Sequence, residues 1–236
     1  MNARCGLVCL ALLLSSAAAF AQGDEGLSGQ VAFGYLATSG NSENENMNLT
    51  FGGQYDRDRW HHALNGLAVK ARTSAVTTAE AYALSWKTSY DVNETDYVFG
   101  LVAWDKDKFS AYDRQIREVF GYGRRFIDTE RHILSAEAGA GFRQADLRTG
   151  MSEDETILRL GLDYEWSISE TATFRQLFAI ESGSDNRYTE SVSSLSADVW
   201  QNLALVLSYT IKSNSDVPIG LKKTDTFTAI SLEYSF

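Results

Sequence analysis

The stretch Thr226–Phe236 (TFTAISLEYSF) alternates strictly between two sets of side chains. One set is mostly apolar, whereas the other contains the carboxylate of Glu233. A period of two indicates a β-strand with two different faces. A carboxylate on the second face argues against a core strand of a soluble protein and suits a strand between lipid and a polar lumen. The stretch therefore predicts the closing strand of a transmembrane β-barrel.

The first 21 residues have the pattern of a secretory signal. Arg4 precedes an apolar run from Gly6 to Leu14, and small residues lead to the A-x-A site Ala19-Phe20-Ala21. An uncleaved membrane helix is the alternative, but the apolar run is too short to span a bilayer comfortably. We expect removal of residues 1–21, which leaves residues 22–236 as a single domain, an outer-membrane β-barrel.

Composition excludes several classes of function. Both cysteines, Cys5 and Cys9, lie in the expected signal, so disulfides, thiol catalysis and cysteine-ligated metals are excluded afterwards. No long apolar run follows, which excludes helical membrane spans. The 12 Phe, 11 Tyr and 5 Trp with a single Pro suit many uninterrupted strands. Without Arg4 the chain has 20 basic and 31 acidic residues, a net charge of −11, which argues against a nucleic-acid partner. No cofactor is predicted.

The alternation continues along the chain and predicts an all-β fold, a single up-and-down antiparallel transmembrane β-barrel of about 12 strands. Short connections alternate with long polar ones, as the periplasmic turns and outer loops of bacterial outer-membrane barrels do. This layout requires an even strand number and places both termini in the periplasm of a Gram-negative bacterium. A soluble β-sandwich or lipocalin-like barrel is the competing fold. The predicted strands cover 27–38, 46–56, 60–72, 79–90, 96–105, 114–124, 132–143, 156–166, 171–181, 188–199, 203–213 and 226–236.

The same alternation assigns side chains to the two faces of the barrel. In the sixth strand, either Arg117 or Glu118 must face lipid unless a bulge shifts the register. Aromatic residues fall near both rims and predict two girdles. The periplasmic girdle contains Trp60, Tyr90, Tyr97, Tyr122, Trp166 and Trp200, and the outer girdle contains Tyr35, Trp104, Phe142, Tyr188 and Tyr209. The predicted lipid-facing set is Val31, Phe33, Leu49, Phe51, Leu84, Leu160, Leu205, Leu207, Ile230 and Leu232.

Charged side chains of both signs fall on the predicted inner face. Charge at mid-membrane persists only where it faces the lumen and finds partners. These groups either fill a narrow barrel as ion pairs or line a path for small solutes, and a twelve-strand barrel is compatible with both. Their mixed sign predicts weak ion selectivity, and charge reversal at Arg143 or Arg159 should alter the conductance of a pore. The lumen-lining candidates are Lys87, Glu137, Arg143, Arg159, Asp163, Arg175, Glu181 and Glu233.

The predicted outer loops are acidic, which suggests an alternative function as an interaction protein that binds a partner or divalent cations. No loop follows the twelve-residue spacing of a calcium loop. The acidic loop residues are Glu43, Glu45, Asp105, Asp107, Asp113, Glu153, Asp154, Glu155, Asp185, Asp216 and Asp225.

An outer-membrane lipid-modifying enzyme is a further alternative. It would need a histidine beside a serine nucleophile and an orienting Asn or Asp. The histidines His61, His62 and His132 all fall at the periplasmic starts of strands, so such a site cannot face the outer leaflet. Known hydrolase, zinc and phosphate-loop motifs do not occur. We therefore predict that the protein is not an enzyme.

Several short motifs occur in a characteristic order. The first predicted strand ends in Tyr35-x-x-Thr38-Ser39-Gly40-Asn41-Ser42, which has the composition of a turn. Gly121-Tyr122-Gly123-Arg124 ends the sixth strand, Glu137–Arg143 (EAGAGFR) forms the seventh, and Tyr234-Ser235-Phe236 ends the chain. In order and spacing, these motifs resemble the DUF481 family of salt-induced outer-membrane proteins over essentially the whole chain after the signal.

The resemblance implies an outer-membrane barrel of unassigned biochemical role, without catalytic residues to transfer. It implies contact with outer-membrane lipids, the barrel-insertion machinery and periplasmic chaperones. The expected function is envelope integrity or stress adaptation by a monomer, with passive passage of small solutes or ions. By the same resemblance, the end of the chain looks like a barrel-assembly signal, formed by Ile230, Leu232, Tyr234 and Phe236.

Overall fold

The computed structural model describes residues 26–38, 44–74, 76–108, 110, 112–217 and 222–236. The predicted signal and most of the Thr38–Ser42 turn lie outside these ranges. No helix in the described ranges is long and apolar enough to cross a membrane. The chain forms twelve strands: β1 (Leu27–Thr38), β2 (Asn44–Arg57), β3 (Trp60–Thr73), β4 (Val76–Asp91), β5 (Asp96–Asp107), β6 (Tyr112–Asp128), β7 (His132–Leu147), β8 (Ser152–Ser169), β9 (Ala172–Ser182), β10 (Arg187–Trp200), β11 (Leu203–Asn214) and β12 (Thr224–Ser235).

Each strand pairs antiparallel with its neighbours in sequence, and β1 pairs with β12 to close a single barrel. At the closing seam, Val31 lies opposite Tyr234 and Phe33 lies opposite Leu232. The amides of Gly29 and Phe236 each donate to the other's carbonyl at 2.8 Å. The predicted up-and-down barrel of twelve strands is confirmed. The seam register covers Gln30–Phe33 of β1 and Leu232–Ser235 of β12, and along this segment neither strand presents an open edge to lipid.

A second contact holds the seam from inside the lumen. Asn48 Nδ2 on β2 donates to Ser231 Oγ on β12 at 2.8 Å, so the two side chains meet across β1. Gly34 lies between them, and a Cβ there would collide with the Asn48 amide and the Ile230 carbonyl oxygen. Glycine at this position therefore permits a side-chain bond between strands that are not adjacent.

The two ends of the barrel differ in their connections. Five short turns join β2–β3, β4–β5, β6–β7, β8–β9 and β10–β11 at one end, which we call the turn end; the opposite end is the loop end. In the β4–β5 turn, Asn93 Oδ1 accepts hydrogen bonds from the amides of Thr95 and Asp96, both at 2.9 Å. Asn suits such turns because its side chain bonds the backbone two residues on.

Large apolar side chains cover the outer surface. All ten predicted lipid-facing residues are exposed there, from 39% for Phe33 to 63% for Ile230. The girdle prediction is wrong for two residues, since Tyr97 and Tyr188 are buried inside the barrel. Both lie near a rim as predicted, but the strand register turns them inward, where Tyr97 bonds Glu137 and Tyr188 lies under Arg117.

The ambiguity in β6 is resolved without a bulge between the two charged residues. Register shifts in β6 fall only near its ends, at Tyr112/Arg114 and Arg125/Ile127. Arg117 consequently points inward and is buried, whereas Glu118 points outward between Val102 of β5 and Phe142 of β7.

Candidate functional site: the lumen

Aromatic side chains fill part of the lumen beside two glycines. Tyr97 and Phe99 on β5 face Gly123 and Gly121 on β6. A Cβ at Gly121 would lie 2.7 Å from the Phe99 ring, and one at Gly123 would collide with Tyr97. The Gly-Tyr-Gly motif thus lets two rings lie against the inner wall. Tyr97 and Phe99 form a buried apolar cluster with Val119 and Ile157.

Two arginines enclose a glutamate on the same side of the barrel. Glu181 on β9 is fully buried and accepts from Arg159 Nη1 at 2.6 Å, while Arg117 Nη1 lies 3.4 Å away. Arg117 also pairs with Asp105 of β5, and its guanidinium lies 5.4 Å from the centroid of the Tyr188 ring. The network has members on β5, β6, β8, β9 and β10, so it ties five strands together through the lumen. Burial of these charges is tolerated because each has a partner of opposite sign.

A second arginine network lies near the loop end. Arg143 is 1% exposed, pairs with Glu155 and donates from Nη2 to the Asn186 carbonyl oxygen at 2.9 Å. The Asn186 side chain donates to Asn214 Oδ1 at 2.7 Å and accepts from the Asp216 amide at 3.2 Å. These bonds hold the β9–β10 and β11–β12 connections over the barrel wall.

The remaining lumen candidates lie closer to the turn end. Lys87 pairs with Glu137, and its Nζ lies 5.1 Å from the centroid of the Phe99 ring. Arg175 and Asp163 form a more exposed two-bond pair, at 3.0 and 2.6 Å. Glu233 is partly buried between Ala32 and Ala204, and within the described residues it makes no ion pair. All eight lumen candidates lie on the face opposite the exposed apolar side chains, and their role in lining a passage stays a prediction.

Sequence reasoning did not place three partners of these networks in the lumen. The sequence predicts Asp105 and Glu155 in acidic loops, and it does not decide whether Arg117 faces the lumen or the lipid. The loop assignment of Glu155 was wrong because β8 begins earlier than predicted, at Ser152, and that of Asp105 was wrong because β5 does not end at this residue but continues to Asp107. Alternation of inner and outer residues continues through these extensions and is the signal that would have identified them.

The acidic loop set is accordingly smaller than predicted. Several of its members lie in strands: Glu45, Asp105, Asp107, Asp113, Glu153, Asp154, Glu155 and Asp225. Across the described residues, no three His, Cys, Asp or Glu side chains are arranged to hold a metal ion. The structure therefore adds no support for a cation site, although Glu43 lies outside the described ranges.

The inner surface divides into two unlike halves. We call the inner faces of β5–β9 the filled wall, because Phe99, Val119, Arg117, Ile157 and Glu181 are all at most 8% exposed. We call the inner faces of β1–β4 the open wall, because many of its side chains are polar, neutral and accessible to solvent; its charged residues are Lys87 and three groups at the turn end. The solvent-accessible residues of the open wall include Gln30, Asn46, Thr50, Gln54, Asn65 and Ser85.

The three histidines at the turn end face different environments. His61 faces the lumen, with Nδ1 2.7 Å from Asp56 Oδ1 and Nε2 2.9 Å from Asp91 Oδ2. His62 faces outward and stacks on Trp60, with ring centroids 6.1 Å apart. His132 also faces outward and stacks on aromatic rings of β8.

Neither outward histidine forms a catalytic triad. His62 Nδ1 bonds the Thr88 hydroxyl at 2.9 Å, and His132 Nδ1 bonds the Tyr164 hydroxyl at 3.0 Å. Among the described residues, no carboxylate bonds the second nitrogen of either ring, as a triad would require. The two side chains therefore act as members of the aromatic girdle.

Comparison with known proteins agrees with this geometry. Residues 31–236 match the family DUF481, described as a protein of unknown function. The chain belongs to the DUF481 family. The resemblance inferred from the short motifs is thereby confirmed. A relative from Escherichia coli K12, the uncharacterized protein YdiY, is 27% identical over 213 residues, which cover 88% of this chain and 82% of YdiY.

Two solved structures resemble the DUF481 barrel in fold. The COG4313 outer-membrane channel of Pseudomonas putida F1 aligns with a TM-score of 0.55 at 11% identity, covering 92% of this chain and 97% of the channel. The translocator domain of the autotransporter NalP from Neisseria meningitidis aligns with a TM-score of 0.51 at 12% identity, covering 94% and 92%. At such low identity the likeness establishes the outer-membrane barrel fold alone.

Proposed function

We propose that this DUF481 protein is a monomeric outer-membrane barrel that lets small polar solutes and ions pass passively along its open wall. The contrast between the two halves of the lumen supports the proposal. The filled wall is packed with aromatic rings and buried ion pairs, whereas Gln30, Gln54 and Asn65 on the open wall are exposed to solvent. A role in envelope integrity or stress adaptation, expected from the family resemblance, is compatible with such a passage.

Orientation in the membrane follows the same proposal. Bacterial outer-membrane barrels place short turns in the periplasm and longer loops outside. We assign the turn end, which holds the start of β1 and the end of β12, to the periplasm. The exposed apolar belt would then contact outer-membrane lipids, and assembly would depend on the insertion machinery and on the signal around Phe236.

Single-barrel conductance in planar lipid bilayers tests the passage. Asn65→Trp places a bulky ring on the open wall and should reduce the unit conductance by at least about half, because twelve strands leave only a narrow bore. Leu64→Trp is the matched control, since the adjacent residue faces outward and is 44% exposed. Its conductance should equal that of the unaltered barrel.

Two results would overturn the proposal. A folded barrel that gives no unit conductance would leave only a structural or interaction role. Equal conductance of the Asn65→Trp and Leu64→Trp barrels would show that current does not follow the open wall. Charge reversal at Arg143 is a poor probe, because its side chain is buried against Glu155 and reversal would disturb folding first.

A further inference from the structure

A cluster of charged side chains lies at the turn end of the open wall, where the proposed passage would begin or end. His61 on β3 lies between Asp56 on β2 and Asp91 on β4. The side chains of His61, Asp56 and Asp91 are 30%, 36% and 22% exposed, so they contact water in the lumen. The cluster therefore adjoins the aqueous path without being sealed from it.

The geometry defines the charge of the imidazole. Each ring nitrogen lies within hydrogen-bond distance of a carboxylate oxygen, and ionised carboxylates only accept. Both nitrogens must therefore donate, which only the doubly protonated imidazolium can do. In the neutral ring, one nitrogen lone pair would face a carboxylate oxygen and that bridge would be lost.

The groups around the cluster balance its charge only in the protonated state. On β6, Arg125 Nη2 donates to Asp91 Oδ1 at 2.9 Å, and its guanidinium lies 5.1 Å from the centroid of the neutral Tyr97 ring of β5. On β2, Gln54 donates to Asp56. On β4, the next charged residue on the inner face is Lys87, which is neutralised by Glu137 of β7. Two carboxylates thus face two cations when His61 is charged, and one negative charge is unbalanced when it is not.

We propose that the Asp56–His61–Asp91 cluster determines the ion selectivity of the passage, so that loss of the proton from His61 makes the turn end favour cations. The inference rests on the proposed function, since selectivity has meaning only if the barrel conducts. Histidine is suited to this role because imidazole changes charge between about pH 5 and about pH 8. Further along the open wall, Thr50, Asn65 and Ser85 are neutral and Lys87 is paired with Glu137, so a single charge at the end of the wall has a large relative effect.

Reversal potentials in a potassium chloride gradient test the proposal. From about pH 5.5 to about pH 8.5, the potassium-to-chloride permeability ratio should rise about two- to fivefold, the effect of one charge roughly 4 Å from the ions in a water-like dielectric. His61→Gln should abolish the pH dependence and hold the ratio near its high-pH value. His61→Lys should also abolish it but hold the ratio near its low-pH value, because lysine stays charged throughout.

His62→Gln is the matched control, because His62 is the adjacent residue and faces outward in the aromatic girdle. Its barrel should keep the full pH dependence. The inference would be wrong if the barrel conducted with a permeability ratio that does not depend on pH. It would also be wrong if the His61→Gln barrel kept its pH dependence, and in both cases the proposed passage itself would stand. The absence of unit conductance at every pH would overturn the passage itself. Heat-modifiable migration of each variant checks that the barrel has folded.

Discussion

At the scale of single residues, Glu118 is exposed on the outer surface amid apolar side chains. On the outer face of β6 it lies four residues from Tyr122 toward the turn end and four from Arg114 toward the loop end. At ~3.4 Å per residue and a tilt of about 40°, those eight residues cover about 20 Å of an apolar band roughly 25 Å tall. Glu118 is therefore near mid-membrane, between Ile116 and Phe120.

Glu118→Leu is expected to stabilise the barrel. Acidic residues facing lipid at the midplane cost less than the about 2–4 kcal/mol of a lysine or arginine, so the gain should be up to about 2 kcal/mol in the free energy of unfolding. Denaturant titration of the barrel in lipid vesicles measures it.

Glu181→Leu replaces an inward-facing glutamate and should change stability in the opposite direction, so it serves as the comparison for Glu118→Leu. The substitution leaves Arg159 and Arg117 without their shared partner inside the filled wall, and we expect a loss of about 3–5 kcal/mol. If both glutamate substitutions shifted stability in the same direction, the assignment of the two faces would be wrong.

Sequence alternation could not decide between Arg117 and Glu118, because both neighbours are charged and the pattern allows either register. The partner that favours an inward Arg117 is Glu181, which lies three strands away around the barrel. A contact of this kind becomes visible only after the barrel has closed. For the same reason, Tyr97 was predicted at the correct rim but on the wrong face.

At the scale of a strand, β11 offers a direct test of the two faces. Leu205 faces outward and is 48% exposed, whereas Ser208 faces the lumen. Leu205→Arg should lower the free energy of unfolding by about 2–4 kcal/mol, because an arginine near the bilayer midplane loses its hydration. Ser208→Arg should cost much less, since the lumen holds water and acidic side chains. Similar losses in a refolding assay would contradict the face assignment.

The existence and order of the strands could be predicted because alternation, turn composition and loop length all point to the same barrel. The exact ends of β5 and β8 could not be predicted in the same way. The loop-end segments of these two strands carry charges such as Asp105 and Glu155, which by composition are typical of loops. These residues join the sheet because Arg117 and Arg143 neutralise them inside the lumen.

At the scale of the whole barrel, accessibility to a charged thiol reagent should differ between the two halves of the lumen. The only cysteines, Cys5 and Cys9, precede residue 22, so a chain that begins there has no reactive background. In vesicles, Asn65→Cys should react rapidly, whereas Ile157→Cys should be protected because Ile157 is 0% exposed. Leu160→Cys faces lipid and should be protected as well. Equal reaction rates for the Asn65 and Ile157 variants would contradict the division of the lumen.

Of all the features of the candidate site, the division of the lumen into two halves was the hardest to predict from the sequence. The inner charges were predicted as a set, and the up-and-down strand order already places Glu137, Arg159 and Glu181 on neighbouring strands. The sequence did not predict the contacts that skip a strand, such as the bond from Tyr97 on β5 to Glu137 on β7 at 2.8 Å, which passes over Gly123 of β6. Contacts of this kind depend on which side chain of the intervening strand leaves room for them.

Segregation of the packed side chains to one half of the barrel separates the positions that maintain the fold from those that would meet a solute in the proposed passage. Substitutions at Asn46, Thr50, Asn65 or Ser85 change neither a buried ion pair nor the apolar cluster around Val119. We therefore expect this barrel to accept changes of size and chemistry at these inner positions of β2–β4 while retaining its stability. The same positions offer a tolerant surface on which to engineer a pore for a chosen solute.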